Sequence, residues 1–138
     1  MGRETTTYIC EIEDSHREIA KKNIIKHLAT ISFIGFTGGY TIIMGVGSVS
    51  ASRMAMEKAN MKVNDIDYWK INEAFYIMAL NCIKELGIDP DRVNVMGGLT
   101  AIGHPLGTMG IYLVGTLTRI SPANFWHFSK TISASSRG

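Results

Sequence analysis

The sequence predicts an α/β fold with a mostly parallel sheet and helices on both faces, on three observations. Short runs rich in β-branched or aromatic residues recur near 5–13, 28–36, 68–71 and 92–95. Stretches with the apolar spacing of helices alternate with them, the last ending near Arg119. No internal repeat, linker or low-complexity block interrupts this strand–helix alternation, which is the pattern of helices laid over a sheet.

Taken in order, Thr5 to Glu13 alternates loosely through Tyr8, Cys10 and Ile12 and reads as a strand. Asp14 or Ser15 then caps a short helix to about Asn23, with Glu18 placed for a capping box. Ala29-Thr30-Ile31-Ser32-Phe33-Ile34-Gly35-Phe36 reads as a buried strand ended by Gly38-Gly39. The glycine-interrupted segment Ile42 to Ser48 lacks the third glycine of a dinucleotide fingerprint. Ser48 or Ser50 is expected to cap a helix to about Asn60, with Ala51, Met54, Ala55 and Ala59 on one face. Asn60 suits a left-handed helix terminus.

Tyr68-Trp69-Lys70-Ile71 is a short strand. Phe75, Met78, Ala79, Cys82, Ile83 and Leu86 then form one helical stripe. Asn72 is expected at its N-cap, Glu73 at its positive end, and Gly87 with Pro90 at its close. Arg92 to Val95 is a fourth strand. A glycine loop leads into a helix from about Gly107 to Arg119 that is apolar nearly all round and wants cover. Past Ser121-Pro122 the periodicity stops. Residues 1–120 therefore read as one domain and 121–138 as an irregular tail.

The bulk chemistry narrows the functions. A net charge of +2 without a Lys/Arg block leaves no footprint for nucleic acid. No stretch approaches the ~20 apolar residues of a membrane span. The first residues lack the apolar core of a secretory signal, although Met1-Gly2-Arg3-Glu4-Thr5-Thr6 meets the loose myristoylation pattern. Cys10 and Cys82 have no metal-ligand spacing and suggest no disulfide framework, which points to a reducing cytoplasm. On the apolar stripe, Cys82 reads as a packed, inert thiol.

The chemistry-bearing stretch is Asn94 to Gly110, which places glycines, Pro105 and His104 between a strand and a helix. Gly98 and Gly103 have P-loop spacing, but His104-Pro105 stands where a P-loop needs Lys and a hydroxyl, so a nucleoside triphosphate is not the ligand. His104 is suited to act as a general base or oxyanion donor, and equally to hydrogen-bond backbone in a tight turn. Asn72 is either a helix cap or a donor aimed at a developing oxyanion.

Asn72-Glu73-Ala74-Phe75 and Gly103-His104-Pro105-Leu106-Gly107 resemble motifs of the thiolases, the acetyl-CoA acetyltransferase family. The resemblance is collinear over about Ile43 to Ile120. It includes Met44-Gly45-Val46-Gly47-Ser48-Val49, Asp65-Ile66-Asp67, Leu86-Gly87-Ile88-Asp89-Pro90 and Val93-Asn94-Val95-Met96-Gly97-Gly98. It implies the C-terminal half of a thiolase-like fold and CoA-thioester chemistry, with the CoA thioester as substrate rather than cofactor and no metal. In that family a cysteine of the N-terminal half is acylated, and a second cysteine in a late C-x-G-G motif handles the proton of the incoming acyl-CoA. The G-H-P histidine activates the nucleophile and helps form an oxyanion hole, and the N-E-A-F asparagine holds a water there. Carried over, His104 and Asn72 take these catalytic roles, with Ala74, Phe75 and Gly103 beside the substrate.

The departures are equally specific. No segment of the chain matches the nucleophile region, and the C-x-G-G motif and last strands are missing, as expected from truncation or a changed reading frame. Met96 replaces a usual Asn, Leu99-Thr100 replaces smaller or aliphatic residues, Met109 replaces a small Ser and Tyr112 a common Arg. The resemblance thus implies part of an acyltransferase for Claisen condensation or thiolysis of 3-ketoacyl-CoA, inactive alone and completed by a separate chain supplying the N-terminal half. The other reading is a non-catalytic CoA-binding or protein-interaction module. In either case the uncovered apolar helix predicts an oligomer or an aggregation-prone chain.

Overall fold

A computed structural model describes residues 3–11, 22, 30–39, 46–103, 105, 107–120 and 131–136 of the chain. Strands β1 (Arg3–Glu11), β2 (Thr30–Gly39), β3 (Tyr68–Ile71) and β4 (Thr131–Ser136) form one sheet in the order β2-β1-β4-β3. β1 is antiparallel to both neighbours, with Tyr8 opposite Ile34 on one side and Ser133 on the other. β3 and β4 run parallel, with Lys70 opposite Ser133. The α/β class therefore holds, but the sheet is mixed rather than mostly parallel. Alternation along the chain shows that a helix intervenes between strands; it does not show which strand the returning chain lies beside.

Two further expectations change. Arg92 to Val95 is not a strand: residues 90–92 form a 3-10 turn and only Val93 bridges Trp69, in parallel sense. The reason is Asn94, whose φ of 49° takes the backbone out of the extended region. Conversely, Thr131–Ser136, expected to be irregular, is β4 and lies between β1 and β3. Its small and hydroxyl residues carry little pattern, and partners on both sides decide its conformation. The helix expected between Ser15 and Asn23 lies outside the described residues apart from Lys22.

Helix α1 (Gly47–Lys58) packs across β1, β2 and β4, and its Ser48, Ala51, Ser52 and Ala55 are buried. These side chains are small enough for a very close approach. A Cβ on Gly35 of β2 would meet the Ala51 carbonyl oxygen, and would stand 2.9 Å from the Ala55 nitrogen. The helix starts at Gly47 without a side-chain cap, so Ser48 sits inside it rather than capping it. Met54, expected on the buried face, is exposed. Asn60 has the expected left-handed backbone, at φ 52°.

Helix α2 (Tyr76–Leu86) buries Met78, Ala79 and Cys82 from the expected stripe, and Ile83 and Leu86 pack against the same core. It ends on left-handed Gly87, φ 66°, and the Ile88 N–H reaches back to the Ile83 carbonyl at 3.0 Å. Arg53 of α1 donates to the Glu85 carbonyl at 3.1 Å, where a cation suits the negative helix end. Helix α3 (Met109–Ile120) contacts β3 and β4 and buries Met109, Leu113 and Leu117, one side chain per turn. Its other faces are more open, Ile111 reaching 77% exposure.

Strand alternation places these helices on two faces. Trp69 and Ile71 enter the core shared by Ala55, Cys82 and Ile88, whereas Lys70 points the other way, over the Tyr112 ring of α3. The expected two-faced cover is present. No described helix is long and apolar enough to cross a membrane.

Candidate active site

Asn72 lies where β3 ends and the 93–103 loop returns beside it. Asn72 follows the last residue of β3 and is buried, at 3% exposure. It is not the cap of α2. That position belongs to Phe75, whose extended backbone (φ −134°, ψ 130°) delays the helix to Tyr76. Phe75 itself is exposed and Ala74 half-buried, so both border an open surface instead of the helix core.

The loop is held to β3 by a side chain acting as backbone. Asn94 Oδ1 accepts from the Ile71 N–H at 3.0 Å, and its Nδ2 donates to the Ile71 carbonyl at 3.1 Å. The Asn94 N–H donates to the Trp69 carbonyl at 2.9 Å. Beyond it the chain turns, with the Gly97 N–H donating to the Asn94 carbonyl at 2.7 Å and Gly97 at φ 83°. Leu99, at 3% exposure, plugs a 3-10 turn over residues 99–101. Its carbonyl accepts from the N–H groups of Ile102 (3.1 Å) and Gly103 (2.8 Å).

Glu73 sits between Asn72 and this loop. Its Oε1 accepts from Asn94 Nδ2 at 2.6 Å; its Oε2 accepts from the Thr100 hydroxyl at 2.6 Å and the Thr100 N–H at 3.0 Å. Sequence reasoning assigned this carboxylate to the positive end of α2; the structure gives it to the loop. It also explains Gly98, whose backbone (φ −114°, ψ −175°) any residue could adopt. A Cβ there would take the place of the Glu73 carboxylate, so a side chain at 98 would displace that carboxylate from its bonds to Asn94 and Thr100. Burial alone would raise the Glu73 pKa, but the bonds from Thr100 and Asn94 and the charge of Lys70 hold it below its ordinary value.

Lys70 lies beneath the loop, at 1% exposure. Its Nζ donates to the Gly97 carbonyl and stands 5.0 Å from the centroid of the Tyr112 ring. Burial lowers its pKa, partly offset by the charge of Glu73. The Tyr at 112 fits this neighbour: an Arg there would bring a second cation to a desolvated lysine.

Asn72 and the loop are thus brought together, through Glu73, Asn94 and Thr100. Gly103 is exposed with φ 79°, at the end of the turn; His104 and Leu106 lie outside the described residues. Sequence reasoning gave no site role to Lys70, Glu73, Asn94 or Thr100. A lysine in the middle of an apolar strand was the one signal available for such a network. Cys82 is fully buried, and burial raises its thiol to about 11. No group of three or more His, Cys, Asp or Glu side chains among the described residues could hold a metal ion.

Comparison with known proteins agrees with this architecture. The family model described as thiolase, C-terminal domain, matches residues 25–123. The cytosolic acetyl-CoA acetyltransferase of Mus musculus is 40% identical over 98 residues, covering 71% of this chain and 25% of that protein. The dimeric peroxisomal thiolase of Saccharomyces cerevisiae superposes with a TM-score of 0.69 and 41% identity, covering 76% of this chain and 27% of that one. A thiolase from Ascaris suum, solved in complex with coenzyme A, gives a TM-score of 0.71 and 34% identity, covering 78% and 28%. The chain spans about a quarter of the length of these relatives. By family model, identity and fold, the chain belongs to the thiolase family, of which it carries the C-terminal domain.

Proposed function

We propose that the chain supplies the histidine and asparagine half of an acyl-CoA acyltransferase catalysing thiolysis of 3-ketoacyl-CoA or the reverse Claisen condensation. The observation that carries the reading is the joining of the Asn72 segment to the glycine loop by Glu73, Asn94 and Thr100. Two segments far apart in sequence, 71–73 and 94–100, are thereby tied together, which supports the reading. His104 takes the proton from a cysteine thiol, and the thiolate attacks the 3-keto carbon. The C2–C3 bond breaks to leave an acyl thioester on the cysteine and the enolate of acetyl-CoA, which takes up the proton the thiol gave. The negative charge that develops on the carbonyl oxygen is met by His104 and a water held by Asn72. Ala74, Phe75 and Gly103 border the thioester.

Neither cysteine here suits the nucleophile's part. Cys82 is buried with a raised pKa, and Cys10 lacks the sequence surroundings of the family's nucleophile. The thiol therefore comes from outside these 138 residues, from a chain or segment carrying the N-terminal half. The exposed Phe75, Tyr76, Ile77 and Leu80 support assembly with it or with a second copy. Cysteine usage favours the cytoplasm; relatives occur in both cytosol and peroxisome.

The test is complementation. The 138-residue chain alone should not cleave acetoacetyl-CoA with CoA. Mixed or co-expressed with an N-terminal thiolase half, it should do so, and His104→Ala should abolish that activity. Calorimetric binding of CoA with no activity in any combination would instead identify a non-catalytic CoA-binding module.

A further inference from the structure

We infer that Glu73 is a positioning residue of this site: its carboxylate latches the glycine loop to the end of β3 and so fixes the backbone as far as Gly103, the residue before His104. The inference rests on the reading of His104 and Asn72 as the acting groups, but its geometry is independent of that reading.

Three donors from the loop converge on one carboxylate. They come from Asn94 and Thr100, 21 and 27 residues away in sequence, and they occupy both oxygens. The loop is shaped to receive it, because Gly98 leaves the carboxylate the space a Cβ would take. Lys70 donates to the Gly97 carbonyl of the same loop, and its charge favours the Glu73 carboxylate. Past Thr100 the constraint continues, through the Leu99 carbonyl, to the N–H groups of Ile102 and Gly103. Hydrogen bonds thus run without a gap from Glu73 to the residue before His104.

Glu73 is also adjacent in sequence to Asn72, so a single residue is tied to both halves of the site. Glu73 is only half-buried and Thr100 is exposed. A bond placed there adds little to the core, but it fixes a glycine-rich segment whose backbone has unusual freedom. Charge-assisted bonds from three directed donors restrict that segment more than apolar contact would.

The test uses the full chain, amide hydrogen exchange and an NMR titration of the His104 imidazole. Glu73→Gln puts an amide NH₂ where a second acceptor is needed, and Thr100→Val removes one hydroxyl at constant shape. In both, exchange over residues 96–103 should rise by about tenfold to a hundredfold, with α2 unchanged. The His104 ring signals should shift as well, and Thr100→Ser should restore both readouts. Unchanged loop exchange would overturn the inference. So would an equal rise in α2, which marks general destabilisation, or a loosened loop with the His104 signals unmoved. If the latch behaves as expected but His104→Ala retains activity in the complemented enzyme, the functional reading fails and the latch stands.

Discussion

The carboxamide of Asn94 pairs with both backbone polar groups of Ile71, accepting at 3.0 Å and donating at 3.1 Å. It completes the ladder at the end of β3 on the edge away from β4, where no strand among the described residues pairs with Ile71. The left-handed backbone of Asn94, φ 49°, is what turns the side chain back onto the strand. One residue thereby ends a strand pairing, replaces it and starts the glycine loop.

Replacement of Asn94 should therefore cost more than a surface change. Asn94→Gly keeps the backbone conformation but abandons the Ile71 groups and one Glu73 bond, with an expected loss of about 2–3 kcal/mol in denaturant unfolding. Asn94→Ala should lose roughly 1 kcal/mol more, from left-handed strain. A glycine variant as stable as the parent would mean that water replaces the carboxamide at no cost.

Gly35 offers a test of the packing between α1 and β2. Alanine there pushes a methyl group into the Ala51 carbonyl and the Ala55 backbone, so the helix must move off the sheet. An overpacking cost of about 1–3 kcal/mol is expected. A lowered melting temperature for Gly35→Ala, with little change for the open position Gly38→Ala, checks it.

The acid limb of stability should carry the signature of Glu73. Its folded pKa lies below the ordinary 4.5, so the unfolded chain binds the proton more readily. Its stabilising contribution is complete above about pH 4.5 and is lost as pH falls through the folded value. Lys70 works at the other end. Its folded pKa lies below 10.5, so its contribution to stability grows as pH rises from the folded value toward 10.5. Stability curves of Glu73→Gln should be flatter on the acid side. If they parallel the parent's, the carboxylate is not held as described.

Cys82 should be silent in the native chain. With its thiol pushed up to about 11 and no exposed surface, it should resist iodoacetamide at pH 8 and react on unfolding. Peptide mapping after a short pulse reads Cys82 separately from Cys10. Native-state labelling of Cys82 would show that the core between α2 and β3 opens.

Part of the candidate site is legible along the chain, and the rest is not for a definite reason. Asn72, Ala74, Phe75 and Gly103 stand out by motif; the structure buries Asn72 behind β3 and leaves Phe75 exposed at the start of α2. Glu73, Thr100 and Asn94 carry no local signal of their connection. A glutamate beside a helix start is explained by the helix, and an asparagine between a valine and another valine looks like part of a strand. Only when residues 73, 94 and 100 meet does the carboxylate have a better set of donors.

By itself the sequence determined what depends on near neighbours: the stripe of α2, its stop at left-handed Gly87, the left-handed Asn60, the short strand at Tyr68–Ile71 and the family motifs. These follow from helical and strand periods and from backbone freedom, which act over a few residues. Tertiary structure alone decided the antiparallel partners of β1, the place of β4, the burial of Lys70 under Tyr112 and the allegiance of Glu73. Each is settled by groups far apart in sequence that compete for the same hydrogen bonds and the same space.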